Sequence, residues 1–392
     1  MSVVIVAPIR TAIGTYGGSL KGVPASQLGA AAIRASLERA KLAPEIPASL
    51  VMGQVIQAGA GMNPARQAAI AAGLPVSTPA MTVNRVCGSG LQAVIGAAQE
   101  ILAGGVECMV AGGMENMDQA PYLIPAGRWG HRMGDGQLLD AMLRDGLNDA
   151  FTGQHSGWHT EDLVDRYAIR REDQDAWAHR TQQRFAAAQA SGRFDAEIVP
   201  VTVTVKGKPQ AFCRDEHNRP DTTLESLAKL KPVFRPNGTL TAGNAPGLNS
   251  GAAAMVLASE QFARERGMLP MAKIVSWGIA AVEPGYFGIA PVPAVRQALQ
   301  RAGWGIGDVQ RIEINEAFAA VTLACIRDLD LPEEVVNVEG GAIAHGHPIG
   351  ATGAILLTRL LHSMRRDGLQ RGMVTLCIGG GQAVALAVEA RQ

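Results

Sequence analysis

The chain lacks the features that would direct it to a nucleic acid, a membrane or an oxidising compartment. Its 35 Lys and Arg residues balance its 35 Asp and Glu residues, and no basic stripe interleaved with aromatic residues occurs, which disfavours a nucleic-acid partner. Its five cysteines show no CxxC spacing, which favours a reducing compartment over a disulfide framework. No apolar run has the length of a membrane span, and the N-terminal MSVVIVAPIRTAIG does not read as a cleaved leader. A soluble, cytoplasmic protein is therefore expected.

Hydrophobic residues and glycine are abundant. Hydrophobic residues form 47% of the 392 positions, enough to build two or three domains. Glycine occupies 46 positions, about 12% of the chain against a usual value of about 7%. Many of these glycines cluster in three segments that also carry reactive side chains, namely VNRVCGSGL, HGHPIGATG and TLCIGGGQA. Such glycines allow a ligand to approach the backbone closely.

An internal repeat predicts two similar halves. A shift of 262 residues places residues 33–40 (IRASLERA) on residues 295–302 (VRQALQRA), and an apolar strand-like segment follows each copy. The same shift takes Cys87 to position 349, two residues from His347, and a glycine-containing helical pattern follows each of these positions. If the halves pack about a pseudo-twofold axis, Cys87 and His347 lie close together.

The segment between the halves differs from them in composition. Residues 119–249 are richer in charge, Trp, His and Pro, which is typical of an inserted domain. We therefore predict an N-terminal half at 1–118 completed by 250–268, an inserted loop domain at 119–249, and a C-terminal half at 269–392. Strands that alternate with helices in both halves predict a layered α/β fold.

Cys87 and one of two histidines are candidates for a nucleophile and its base. Cys87 precedes an apolar helical pattern, and a helix N-terminus lowers the pKa of a thiol, whereas most buried cysteines only pack in the core. His347 precedes Pro348, and proline favours the first helical position, so the helix dipole would keep the imidazole neutral and basic. His345 could take the same role, and spacing alone does not choose between the two histidines.

Cys377 and Asn315 are further candidates, each with an ordinary structural alternative. Cys377 lies in an apolar strand-like run, as a core residue would, but the three glycines after it would present backbone amides to a negative oxygen. Asn315 ends the strand before NEAFAA continues as a helix, where a helix cap is the usual explanation. A zinc site built from His345, His347 and Cys377 lacks paired ligand spacing, so no metal is expected.

Six motifs in register resemble those of the thiolase family across nearly the whole chain. They are NRVCGSG, GGMENM, TAGNAPGLNSGAAA, NEAFAA, GGAIAHGHPIGATGA and CIGGGQ. The resemblance implies two αβαβα halves that form a five-layered body, a loop domain that cradles coenzyme A, and a homotetramer built as a dimer of dimers. It also implies acyl-CoA and CoA as substrates without any further cofactor. The implied reaction condenses two acyl-CoA molecules, typically acetyl-CoA, or cleaves a 3-ketoacyl-CoA in reverse.

The same resemblance assigns roles to the candidate catalytic residues. Cys87 would carry the acyl group, His347 of the GHP motif would deprotonate it, and Cys377 would remove the α-proton of the second acyl-CoA. Asn315 would hold a water at the enolate oxygen, and the amides of Cys87 and Gly379 would form the oxyanion hole. Two thiols are needed because one stays acylated while another base generates the carbon nucleophile.

Departures from the family pattern affect the predicted substrate site. Pro246 replaces a serine whose hydroxyl contacts the pantetheine arm, Ser156 replaces a methionine after His155, and Phe287 replaces another methionine. Ser156 should open the acyl pocket and Phe287 should narrow it elsewhere, which predicts an altered acyl preference. The predicted contacts to substrate and CoA are completed by His155, Phe318, Arg219 and Ser226.

Two other functions compete with this prediction. A condensing enzyme of the ketoacyl synthase kind uses one cysteine with two histidines or with His and Asn, and Cys377 argues against it. A catalytically impaired thiolase-like protein that binds acyl-CoA or lipid would follow if Pro246 prevented CoA from docking. The presence of all four expected catalytic side chains disfavours this second alternative.

Overall fold

Strands and helices alternate in both halves of the computed structural model, which describes residues 2–391. The strands are β1 (Val3–Thr11), β2 (Gly14–Thr15), β3 (Ser49–Gly53), β4 (Ala80–Val83), β5 (Cys108–Asn116), β6 (Tyr122–Leu123), β7 (Leu139–Asp140), β8 (Ile198–Val199), β9 (Val201–Val205), β10 (Lys208–Phe212), β11 (Asn249–Ser259), β12 (Pro270–Ala281), β13 (Arg311–Ile314), β14 (Arg371–Ile378) and β15 (Gln382–Ala390). The helices are α1 (Ala25–Ala40), α2 (Pro64–Ala72), α3 (Ser89–Leu102), α4 (Ser156–Tyr167), α5 (Arg171–Ala190), α6 (Leu224–Ala228), α7 (Glu260–Glu265), α8 (Pro291–Ala302), α9 (Ala319–Leu329), α10 (Ala342–His345) and α11 (Thr352–Asp367). Residues Leu143–Leu147 form a π-helical turn.

The two halves repeat one strand order. In the first half β1, β11, β5, β3 and β4 are neighbours in that order, with two antiparallel pairings followed by two parallel ones. In the second half β12, β15, β14 and β13 are neighbours in that order, with two antiparallel pairings followed by one parallel pairing. No strand equivalent to β4 is described beyond β13, and a single parallel bridge from Ile312 to Val336 takes its place. Antiparallel pairing of β1 with β12 joins the halves. The predicted duplication is therefore confirmed at the level of sheet topology.

Helices cover both faces of each half and meet in the middle. Helices α1 and α2 pack on the outer face of the first half, and α8 and α9 pack on the outer face of the second. Helices α3 and α11 contact each other and strands of both halves, since they are apolar on most faces and bury them in the central core. The five layers of the predicted α/β fold are thus present. Within residues 2–391 no helix is both long and apolar enough to cross a membrane.

The long connection between β5 and β11 carries the segment that the sequence marks as an insertion. In the second half the equivalent strands β14 and β15 are joined only by the glycine turn at 379–381. The sequence EDLVDRYAIRREDQDAWAHRTQQRFAAAQASG in the insertion predicts one helical stretch. The structure has two helices there, α4 and α5, because Ala168 between them adopts a left-handed conformation with φ 48°. The alternating sequence IVPVTVTV predicts one strand, which the structure interrupts at Pro200, between β8 and β9. The domain limits themselves stay predictions.

Candidate active site

A cavity at the junction of the two halves and the insertion collects most of the predicted site residues. Its remaining walls are mainly apolar, from Met117, Leu147, Phe234, Leu248 and Ile349. A mostly apolar cleft with a few convergent polar groups is the usual form of a small-molecule site. The predicted residues that line the cavity are Cys87, His155, Ser156, Pro246, Phe287, Phe318, His347 and Gly379.

A strained turn presents Cys87 to this cavity. Val86, the preceding residue, has φ 42°, which is unfavourable for a β-branched side chain. Side-chain hydrogen bonds hold the turn: Asn84 Oδ1 accepts from the Val86 amide at 2.9 Å, and Ser89 Oγ donates to the Val86 carbonyl at 2.6 Å. Helix α3 begins two residues after Cys87. The N-terminal position predicted for Cys87 is thus what the structure shows.

The pKa of Cys87 moves in the direction opposite to the prediction. Burial raises it to about 11, and it outweighs the amides of Gly379 and Cys87 itself, which hydrogen-bond the sulfur and lower the pKa. The charge of Glu115 raises it further. The helix terminus therefore does not produce a resting thiolate, because the loss of solvation around the sulfur outweighs it. Both amides thus lie beside the sulfur, and their role as an oxyanion hole stays a prediction.

His347 lies in the cavity, whereas His345 does not. Burial alone lowers the pKa of His347 to about 4, so the ring is neutral at pH 7 as expected. The reason differs from the prediction, since helix α11 begins at Thr352 and Pro348 precedes a turn instead of opening the helix. His345 ends α10 and is buried beside Phe185, with 6.0 Å between the ring centroids. The structure thus distinguishes the two histidines by position.

Hydrogen bonds fix the orientation and the tautomer of His347. Its amide donates to Asn249 Oδ1 at 2.9 Å, and its Nδ1 lies 2.7 Å from Thr352 Oγ1. Because the Thr352 hydroxyl donates its single proton to the Pro348 carbonyl at 2.8 Å, it accepts from Nδ1–H. The lone pair is then on Nε2, which accepts a hydrogen bond from Asn315 Nδ2 at 3.3 Å. Nε2 is the nitrogen that can act as a base.

Replacement of Thr352 by valine is expected to lower kcat about tenfold with little change in KM, because the ring loses the partner that fixes its tautomer. Steady-state kinetics of acetoacetyl-CoA thiolysis measure the effect. The matched control is Thr358→Val. Thr358 is also buried in α11, and its hydroxyl donates to the Ala354 carbonyl one turn earlier. Equal losses in both variants would show that helix stability, and not the imidazole, is responsible.

Asn315 and Cys377 lie at the ends of two parallel neighbouring strands, Asn315 just after β13 and Cys377 within the last two residues of β14. Asn315 comes directly after β13, and its amide donates to the Thr375 carbonyl of β14 at 3.0 Å. Its side chain does not cap a helix, since α9 begins only at Ala319. Cys377 is 1% exposed, and burial raises its pKa well above the usual value, with further contributions from Cys87 and Cys325. The Cys87 sulfur therefore lies near enough to disfavour ionisation of Cys377.

Aromatic stacking shapes the cavity entrance. The rings of His155 and Phe234 stack at 4.7 Å between centroids, and Phe234 meets Phe318 edge-on at 5.8 Å. His155 precedes α4, and its Nδ1 accepts from the Gly157 amide at 3.0 Å. The Ser156 hydroxyl donates to the Leu147 carbonyl at 2.7 Å. The Ser156 hydroxyl proton is therefore already donated to a backbone carbonyl of the protein.

The two outer residues predicted to contact CoA do not line the cavity. Arg219 is exposed on the insertion, and its amide donates to Gln182 Oε1 at 2.9 Å. Ser226 is also exposed and forms a capping box with Thr223 at the start of α6. Both residues stay predictions. Asn249, Thr352 and Ser89, in contrast, hold the catalytic groups and were not predicted.

The fold and the site together define a duplicated α/β enzyme with a thiol and a neutral imidazole in one cleft. The thiolase N-terminal domain family matches residues 3–261, and the thiolase C-terminal domain family matches residues 268–390. The chain belongs to the thiolase family.

Individual relatives match over their full length. An acetyl-CoA acetyltransferase of Chromobacterium violaceum is 52% identical over 390 residues, covering 99% of this chain and 100% of that protein. One from Escherichia coli is 50% identical over 387 residues, covering 98% of each chain. The crystal structure of the Bacillus anthracis acetyl-CoA acetyltransferase superimposes with a TM-score of 0.98 at 43% identity, covering 100% of this chain and 99% of that one.

Proposed function

We propose that this thiolase condenses two acyl-CoA molecules, with acetyl-CoA as the simplest substrate, and cleaves 3-ketoacyl-CoA in the reverse direction. The observation that carries the proposal is that Cys87 and His347 line one cavity and that Asn315 is hydrogen-bonded to His347. Cys377 is buried close enough to Cys87 for the Cys87 sulfur to raise its pKa. This arrangement disfavours a silent scaffold. The second thiol disfavours the ketoacyl synthase alternative, which needs only one.

The first half-reaction transfers an acyl group to Cys87. Nε2 of His347 accepts the thiol proton as the sulfur attacks the thioester carbonyl, because neither group is ionised in the resting site. The amides of Cys87 and Gly379 stabilise the tetrahedral oxyanion, where one such donor contributes about 2.7 to 4 kcal/mol. The imidazolium then protonates the departing CoA thiolate. Acyl-Cys87 and free CoA thiol are the products.

The second half-reaction forms the carbon–carbon bond. Because burial leaves the Cys377 thiol un-ionised at rest, neutral His347 first accepts its proton. The Cys377 thiolate then removes the α-proton of a second acyl-CoA and becomes a thiol again, and the resulting carbanion attacks the carbonyl carbon of acyl-Cys87. The Cys87 sulfur leaves as a thiolate and takes the proton from the His347 imidazolium. Asn315 Oδ1 is buried without a hydrogen-bond donor among the described groups, so it can hold a water at the enolate oxygen beside His347. Reversal of these steps gives thiolysis.

Incubation with acetyl-CoA tests the proposed function. Intact-mass spectrometry should show one added acetyl group per chain, mapped to the peptide of Cys87, and added CoA should remove it. Acetoacetyl-CoA should be cleaved by CoA in the same preparation. A protein that binds acetyl-CoA without either reaction would support the scaffold alternative.

The acyl pocket supports a preference different from that of an ordinary acetoacetyl-CoA thiolase. Serine at position 156 is short and bonded to Leu147, which leaves room, whereas Phe287 is 5% exposed and fills its wall. Pro246 lines the cavity and offers no donor.

We expect Ser156→Met to narrow the pocket and so to favour acetoacetyl-CoA over the longer 3-ketohexanoyl-CoA. The ratio of kcat/KM for acetoacetyl-CoA to kcat/KM for 3-ketohexanoyl-CoA should rise about tenfold, which is the effect of one or two methylenes in an apolar pocket. Rates with both substrates and with a branched 3-ketoacyl-CoA measure the change. Phe287→Met is the companion variant and should widen the opposite wall. An unchanged ratio in both variants, or an ordinary acetoacetyl-CoA preference in the wild type, would contradict the role of these positions.

The structure offers two surfaces for the proposed homotetramer. Strand β4 is a sheet edge with Met81 about half exposed, and unpaired edges can pair with another chain. The arm at 121–143 exposes Tyr122, Trp129 and Met133 to a degree that is unusual in a monomer. Five free cysteines, two of them in the site, support a reducing, cytoplasmic location. A role in fatty acid metabolism would follow from the substrates.

A further inference from the structure

Glu115 is a buried carboxylate that the proposed reaction does not use. It lies near the end of β5 and is 0% exposed. Its Oε2 accepts hydrogen bonds from the amides of Val55 at 2.9 Å and Gly350 at 3.0 Å, and its Oε1 accepts from Ile56 at 3.4 Å. Burial of a carboxylate is costly unless hydrogen bonds compensate. The three amide hydrogen bonds therefore offset the free-energy cost of burying the carboxyl group, and the carboxyl group in turn gives these buried amides an acceptor.

The partners of Glu115 belong to different halves of the protein. Val55 and Ile56 follow β3 of the first half, whereas Gly350 lies three residues after His347 in the turn that precedes α11. That turn is attached at both ends, by Asn249 at the His347 amide and by Glu115 at the Gly350 amide. The packing is tight there, since a Cβ on Gly350 would lie 2.7 Å from Glu115 Oε2.

We propose that Glu115 is a positioning residue of the catalytic centre, whose carboxylate holds the turn that carries His347 against the loop after β3. This inference rests on the proposed thiolase reaction. Within the described residues, Glu115 is the charged side chain that acts on the Cys87 thiol, and the other groups acting on it are the amides of Gly379 and Cys87. The carboxylate thus has two separable effects, one of geometry and one of charge. Burial raises the pKa of Glu115 to about 8, so its charge acts only above that pH, the range in which Cys87 with a pKa of about 11 titrates.

Two variants separate these effects. Glu115→Asp keeps the charge but is one methylene too short to reach Val55 and Gly350 together, so it should lower kcat about tenfold at an unchanged KM for CoA, as small misplacements of catalytic groups do. Glu115→Gln keeps an acceptor oxygen but removes the charge. It should retain most of kcat and move the midpoint of Cys87 alkylation by iodoacetamide to lower pH by a fraction of a unit, because a neighbouring negative charge disfavours a thiolate.

Glu313→Gln is the matched control. Glu313 is also buried, on β13, and burial raises its pKa to about 8 as well, so its variant should leave kcat and the alkylation midpoint at wild-type values. The Gly350 amide of the wild-type protein should exchange with solvent deuterium slowly, which tests the anchor without any variant. Wild-type kcat in Glu115→Asp, equal effects in Glu313→Gln, or rapid exchange at Gly350 would overturn the proposal. Alkylation and deuterium exchange need no substrate and therefore test the position of Glu115 independently of the reaction. If the wild-type protein showed no thiolysis, the proposed function would be refuted while these two measurements could still support the anchor.

Discussion

Replacement of Cys87 by alanine is expected to abolish both covalent acetylation by acetyl-CoA and thiolysis of acetoacetyl-CoA. The sulfur lies in the cavity within reach of the Gly379 amide, and Cys87 is the one thiol among the described residues that line this cavity. Loss of a covalent nucleophile typically lowers kcat by about 10⁴-fold or more. Intact-mass spectrometry and a continuous thiolysis assay measure the two losses.

Two other cysteines provide the controls for this variant. Cys213 is exposed on the insertion and Cys325 is buried in α9, so Cys213→Ala and Cys325→Ala should acetylate like the wild type. Alanine at position 87 should not unfold the protein, since Cys87 is only partly buried and follows a turn held by other residues. An acetyl group that still appears on Cys87→Ala would refute the assignment of the nucleophile.

The duplicated fold could be predicted from the sequence because a helix and the strand after it recur at a fixed spacing. Residues 33–40 end α1 and residues 295–302 end α8, and these helices precede the equivalent strands β3 and β13. The breaks within the insertion were harder to predict. Ala168 adopts a left-handed conformation without being glycine or asparagine, so no residue type marks the end of α4.

The candidate site was predictable in its membership and less so in its electrostatics. Short glycine-rich segments mark Cys87, His347 and Cys377, but the sign of the shift in the pKa of Cys87 depends on burial by distant parts of the chain. The separation along the chain explains why the residues that hold His347 were not predicted. Thr352 lies in the same motif as His347 and five residues away, so a search for a ring partner could have found it. Asn249 contacts His347 from 98 residues away, and no local pattern indicates that pairing.

Replacement of Cys377 by alanine is expected to separate the two half-reactions. The variant should still be acetylated on Cys87, because Gly379, His347 and the oxyanion amides do not depend on the Cys377 sulfur. It should not turn over, because no base is left to remove the α-proton of the second acyl-CoA, and kcat for condensation and thiolysis should fall about 10³-fold or more. General acid–base groups contribute about 10² to 10⁴ in rate.

An exchange assay tests this separation most directly. Transfer of the acetyl group between acetyl-CoA and isotopically labelled CoA needs only Cys87 and His347, so Cys377→Ala should carry it out at a rate similar to that of the wild type. The burial of Cys377 makes a folding control necessary, and a melting temperature close to that of the wild type supplies it. If the variant folds but loses exchange together with condensation, Cys377 acts in both half-reactions and its assignment as the base for carbon–carbon bond formation is wrong. If condensation persists, another group removes the proton.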